Sequence, residues 1–254
     1  MSKFIGKLSR ASQSGPQPMG FKVGQPVSQR PKMLLIASLA QVNVDSVADY
    51  VAGADAGLLP ISKLSSGRET LRKIAQAVPD IPWGGWLRDI SQREMKQMKR
   101  VGCDFVVFPA ANTSLAILQN TEVGKILEVE ASLSEGLLRT IDELPVDAVL
   151  IAGEEKEDYF LTWQHLMLFW RFANSLAKPL LVSVPSTVVA SELQVLWEAG
   201  VDGVVVEAGA GGLKELRQAI DKLTFPPLRR RRKAEALLPY ISAEPDVATE
   251  TEEE

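Results

Sequence analysis

The sequence predicts an α/β fold: a closed (β/α)8 barrel with a fourfold (βα)2 internal repeat and disordered tails at both ends. Three observations lead there. One motif occurs four times, as "AGADAGLLP" (52–60), "VGCDFVVFPA" (101–110), "LPVDAVLIAG" (144–153) and "AGVDGVVVEAG" (199–209). In each, a Gly or Pro, one residue, an Asp and one more residue precede a short apolar run. The aspartates Asp55, Asp104, Asp147 and Asp202 recur at roughly fifty residues, too long for one βα unit and right for two. Between the copies lie partner runs, "PKMLLIAS" (31–38), "IPWGGWLR" (81–88), "KILEVEAS" (125–132) and "KPLLVSVPS" (178–186). Near-continuous apolar runs of this length suit parallel strands covered by helices. An open doubly wound sheet is the alternative, and four phased copies favour closure.

In chain order, residues 1–30 form the first expected segment, a disordered basic arm rich in Ser, Gln, Gly and Pro. No acidic residue occurs before Asp45, and "KFIGKL" suits a small amphipathic anchor for a membrane or a partner. The arm lacks the long apolar core of a secretory signal, while its basic, acid-free character resembles an organelle-targeting segment. The barrel is expected over 31–223, with helices between the strands. "SGRETLRKIAQAV" (66–78) and "SELQVLWEAG" (191–200) carry apolar stripes, with Ser66 and Ser191 as expected N-caps and Gly200 as a C-terminal stop. Residues 224–254 are a C-terminal extension. It holds the basic run Arg229 to Lys233 and the acidic end "ETEEE".

Composition narrows the function. One cysteine, Cys103, precludes an internal disulfide and fits a reducing compartment, so the cytoplasm is expected. With a single histidine, His165, a His/Cys zinc site is not expected, and no metal is assigned. A net charge of -4 argues against nucleic acid as the main partner, and no stretch reads as a transmembrane span.

The repeat assigns a face to each residue. Every motif Asp precedes its strand, so it belongs at the bottom of the barrel, bonding turn amides where a helix hands over to a strand. Ligands bind at the opposite end, beyond the strand C-termini. That filter selects Lys63, Arg88, Glu128, Glu130, Ser183 and Ser186, with Trp86 and Glu207 close by. Glu128 and Glu130 sit two apart, so they share a face, and Leu127 and Val129 take the other. The apolar pair must cover the helices, which turns the glutamates inward. Lys63 and Arg88 are their expected partners. Two readings stand: general acid–base catalysis by these four residues, or a structural ion-pair layer. Trp83 and Trp86 either wall a planar ligand or pack into space left by Gly84 and Gly85.

Two further features ask for partners. The segment 158–178, "DYFLTWQHLMLFWRFANSLAK", is apolar around much of a helix, more than one barrel-facing stripe requires. A subunit interface, homo-oligomeric or with another protein, or docking of a tail is expected there. His165 on this helix reads as structural. The end of "VDGVVVEAGAGGLKELRQAI" (201–220) places Gly209, Gly211 and Gly212 between a strand and a helix. Backbone amides in such a turn cradle phosphate, and Ser183 and Ser186 would add donors. The alternative is a tight corner needing positive φ.

"SGRETLRKIAQAVPDIPWGG" and "LWEAGVDGVVVEAGAGG" resemble the TIM barrels of the ribulose-phosphate-binding and FMN-dependent superfamilies. The resemblance implies phosphate binding after the seventh and eighth strands. It further implies a small phosphorylated ligand or FMN as cofactor, and lyase, isomerase or oxidoreductase chemistry. Glu207 departs from the pattern, because a carboxylate just before the turn repels phosphate. A barrel that binds or assembles without catalysis is the competing reading.

Overall fold

The computed structural model describes residues 2–12, 32–39, 46–62, 64–153, 159–209 and 212–224. Eight parallel strands close into a barrel in sequence order. They are β1 Leu34–Ser38, β2 Ala56–Ile61, β3 Trp83–Leu87, β4 Phe105–Pro109, β5 Gly124–Val129, β6 Ala148–Ile151, β7 Leu180–Val184 and β8 Gly203–Glu207. β1 pairs with β8 from Leu34↔Gly203 to Ser38↔Glu207, which seals the ring. Helix α1, Lys3–Ser12, precedes the barrel. The outer layer contains α2 Val47–Tyr50, α3 Leu64–Ala77, α4 Gln92–Arg100, α5 Glu135–Ile141, α6 Trp163–Ser175, α7 Ala190–Ala199 and α8 Gly212–Lys222.

One connection departs from the expected α-helix. Between β4 and β5 runs a 3-10 helix, Leu115–Gln119. Its neighbours use up the chain on either side. Thr113 bridges to Ile90 before it. After it, Asn120 turns the chain by accepting from the amides of Glu122 and Val123. Too little remains for a full α-helix.

Strand parity divides the apolar residues into two cores. Outward residues such as Leu35, Val106, Leu127, Val149, Val182 and Val204 pack under the helices. Inward residues fill the barrel: Leu34, Ile36, Ala56, Leu58, Phe105, Val107, Ile126, Ala148, Leu150, Leu181 and Val205. The register shears by about eight residues around the ring, so inward side chains stack in layers of four from alternate strands. Near the bottom those layers are small: Ala56, Ala148, Gly84, Gly124 and Gly203.

Helix α1 packs against this end of the inner core. Phe4, Ile5, Leu8 and Ala11 are buried within the inner core, and Phe4 stacks on Phe105 with centroids 4.5 Å apart. A Cβ on Gly124 would stand 2.5 Å from Ile5. Residues 2–12 are therefore not part of a disordered arm. The amphipathic "KFIGKL" segment has its partner in the barrel's own floor, because its apolar face covers surface the strands leave open. The rest of the arm, 13–30, lies outside the described residues, as does 225–254 of the C-terminal extension.

The four motif aspartates do sit at the bottom. Their amides donate to Leu35, Trp83, Lys125 and Leu180 carbonyls at 2.8 to 2.9 Å, one on each odd-numbered strand. Three carboxylates return the bond, accepting from the amides of Leu35, Lys125 and Leu180. Asp104 is the exception. It accepts from Ser2 Oγ (2.7 Å) and from the amides of Lys3 and Phe4 (2.8 Å each), so it caps the N-terminus of α1 from across the barrel.

Two expected caps shift. Ser66 lies inside α3, which already starts at Leu64. Ser191 lies in the first turn of α7, whose N-cap is Val189, with Glu192 accepting the Val189 amide. Gly200 holds φ +95 as the C-cap of α7, as a left-handed stop requires. His165 is structural: Nδ1 accepts from the Thr162 amide at 3.1 Å, and Thr162 Oγ1 accepts from the His165 amide, closing the α6 N-terminus.

Candidate functional site at the barrel mouth

The strand C-termini converge on a mouth whose chemistry differs from the apolar barrel beneath. Register and parity put Ser38, Trp86, Glu128 and Ser183 in one layer, from β1, β3, β5 and β7. Above them stand Pro60, Pro109 and Glu207, the inward ends of β2, β4 and β8. The layer below is apolar, with Leu58, Val107, Leu150 and Val205. The polar layer is thus the floor of the mouth.

Glu128 points inward, as parity requires, and is half-buried. Trp86 Nε1 donates to its Oε2 at 2.7 Å. Among the described residues this indole is the carboxylate's hydrogen-bond partner. The bond fixes one of the two carboxylate oxygens. Ser183 Oγ is buried and has no hydrogen-bond partner among the described residues. Leaving such a hydroxyl unpaired costs about 1–3 kcal/mol, which a bound polar group would recover. Gly153 lets the end of β6 approach this serine, since a Cβ there would stand 3.2 Å from Ser183 Cβ.

The other expected residues lie higher or elsewhere. Glu130 falls one residue beyond the end of β5 and is exposed, its carboxylate accepting from Ser132 Oγ at 3.2 Å. The two glutamates therefore do not form one inward pair, because the strand stops at Val129. Arg88 is exposed just past β3, and Ser186 is exposed past β7. Lys63 lies outside the described residues. Trp83 is no ligand wall: it faces the helices, 2% exposed, with Nε1 donating to Val78 O. Gly84 makes room for Phe105, not for a tryptophan, and Gly57 clears the Trp83 ring.

At the β8 end, Gly209 has no positive φ, and a Cβ there would meet nothing within 4 Å. Neither strain nor packing requires glycine at this position. Gly212 is the first residue of α8, and Gly211 lies outside the described residues. Glu207 is exposed at the strand end. Sequence reading puts Ser38 at the ligand end of the first strand but does not pair it with Glu128, and it missed the indole bond. The inward parity of Trp86 was the available signal.

No protein-family model matches the chain, and no curated protein matches it in sequence. Solved structures do match in fold. The 3-hexulose-6-phosphate synthase of Salmonella typhimurium superposes with TM-score 0.61 at 13% identity, over 76% of this chain and 100% of that one. A mutant tryptophan synthase alpha-subunit from Pyrococcus furiosus gives 0.57 at 12% identity, over 75% and 97%. A FabK mutant from Thermotoga maritima gives 0.53 at 19% identity, over 69% and 61%. At these identities the likeness establishes the fold: this chain is a TIM barrel.

Proposed function

We propose that this TIM barrel binds a small phosphorylated molecule at its C-terminal mouth. The ligand's hydroxyl-bearing end rests on Glu128 and Ser183, and its phosphate reaches the turns after β7 and β8. One observation carries the reading. Among the described residues, the polar layer of the barrel interior holds a hydrogen-bonded carboxylate and a buried hydroxyl without a partner. Gly209 supports the phosphate end, because open space above a glycine lets a ligand approach the backbone. The 3-hexulose-6-phosphate synthase sharing this fold is named for a sugar phosphate, which supports the same ligand class. If the barrel is an enzyme, Glu128 is the proton-transfer group nearest the ligand, and Arg88, Glu130 and Lys63 act from the rim. FMN is the larger ligand of the same type.

Titration calorimetry with ribulose 5-phosphate, FMN and inorganic phosphate tests this. Binding is expected for at least one. Glu128→Gln and Ser183→Ala should each weaken it about tenfold, the effect of losing one good polar contact. Glu207→Gln should tighten phosphate binding by removing a like charge. No heat with any of the three, and no yellow flavin in the purified protein, would overturn the proposal. A second reading, a barrel used for binding or assembly without catalysis, is favoured by the exposed apolar residues on α6.

A further inference from the structure

The barrel mouth carries negative charge on two levels. Glu128 lies two residues above Ile126, and Glu207 two above Val205, so both follow the inward parity of the inner core. Glu207 is the register partner of Ser38, which places it beside the polar layer. The other inward strand positions at this height are serines, prolines and the Trp86 indole, without a cation. Among the described residues neither carboxylate forms an ion pair. Trp86 Nε1 gives Glu128 one neutral donor, 2.7 Å from Oε2. Such a donor satisfies one oxygen and cancels no charge. Arg88, the basic residue that follows Trp86, is exposed beyond the end of β3.

We propose that the inner end of the ligand carries a protonated amine, so that the mouth takes amino-bearing phosphorylated molecules such as amino sugar phosphates or aminoalkyl phosphates. The inference rests on the phosphate-binding reading above and adds a second charge to the ligand. An ammonium offers three donors and no acceptor. Glu128 accepts one in a charge-assisted bond, about twice as strong as a neutral one. Ser183 Oγ, buried and without a hydrogen-bond partner among the described residues, and Ser38, 8% exposed, supply acceptors for the others. The Trp86 ring in the same layer attracts a cation as well. A hydroxyl in the amine's place leaves both carboxylates uncompensated once the ligand displaces water. Glu207 thereby gains a role. It draws the amine down to the floor and turns the phosphate outward to the turns after β7 and β8, so one orientation of a doubly charged ligand is selected.

Titration calorimetry of the full chain in mildly acidic buffer tests the inference with matched pairs. Glucosamine 6-phosphate is compared with glucose 6-phosphate, and ethanolamine phosphate with ethylene glycol phosphate. Within each pair an amine replaces a hydroxyl. At least one amine is expected to bind about tenfold or more tighter than its counterpart. Glu128→Gln should abolish that preference, and Glu207→Gln should narrow it while tightening inorganic phosphate. Circular dichroism should be unchanged in both variants. Equal affinity within both pairs overturns the inference, and so does a preference that survives both variants. The arms separate it from the reading it rests on. If the phosphate esters bind but the amines gain nothing, the phosphate site stands and the amine falls. If glucosamine binds as tightly as glucosamine 6-phosphate, the amine stands and the phosphate site falls. If nothing binds, both fall.

Discussion

Helix α1 makes a prediction whose size follows from its contacts. Phe4 is fully buried and stacked on Phe105. Truncating such a side chain costs about 3–5 kcal/mol, from lost transfer energy and the cavity left behind. Asp104 holds the same N-terminal end with three hydrogen bonds, two of them to amides at the positive end of the helix. Asp104→Ala should cost about 2 kcal/mol, as a lost charged cap does. The two costs should not add. Helix α1 leaves its seat as a unit, so no combination of changes in it can cost more than its whole docking free energy. Urea unfolding of Phe4→Ala, Asp104→Ala and the double variant measures this. Lower midpoints are expected for both single variants, with the double variant short of the sum. In the double variant, hydrogen exchange should show the amides of residues 5–11 unprotected while the strands stay protected. Unchanged midpoints would refute the docking. Additive losses with α1 still protected would refute its behaviour as a unit.

Two other predictions concern the frame around the site. Burial pushes the Cys103 thiol up to about 12 from 9.0, with the neighbouring Asp104 charge adding to the rise and bonds to Gly85 and Phe105 opposing it. The neutral thiol is the form favoured on folding. Its contribution to stability is fully present below pH 9 and is lost as pH rises from there toward 12. Denaturation midpoints for the wild-type chain should therefore fall across that window more steeply than for Cys103→Ala, and a thiol reagent at pH 8 should label only unfolded protein. Gly200→Ala should destabilise by about 1 kcal/mol, because φ +95 suits no L side chain and a Cβ would stand 3.1 Å from Ala173. Its melting temperature should drop with the circular dichroism spectrum unchanged.

Much of the barrel was legible because it is written locally and repeated. The Asp motifs, the apolar runs and the inward parity of Glu128 each need only a few neighbouring residues. The mouth layer was not legible in that way. Ser38, Trp86, Glu128 and Ser183 meet only once eight strands have settled into register, and no local pattern carries that register. Glu130 shows how parity fails at an element's end: the period was right, but the strand stopped before it. For α1 the local signal was present. Phe4, Ile5, Leu8 and Ala11 keep helical spacing, with Lys3, Lys7 and Arg10 around the other face. The Ser-, Gln-, Gly- and Pro-rich sequence that follows diluted it. What the sequence could not show was the receptor, a floor of glycines and alanines drawn from five different strands.

That floor sets an order of events for the newborn chain. The helix is synthesised before any strand it will touch, yet its seat includes Phe105 and Gly124, and it is complete only when β1 and β8 have added Leu34, Ile36 and Val205 to the same core. Until then the apolar side of α1 has nowhere to go, and the hollow ring has nothing beneath it. A helix that precedes every strand in the chain is thus among the last elements to be placed. Its arrival marks a ring that has closed in the correct register, much as a keystone fits only a finished arch.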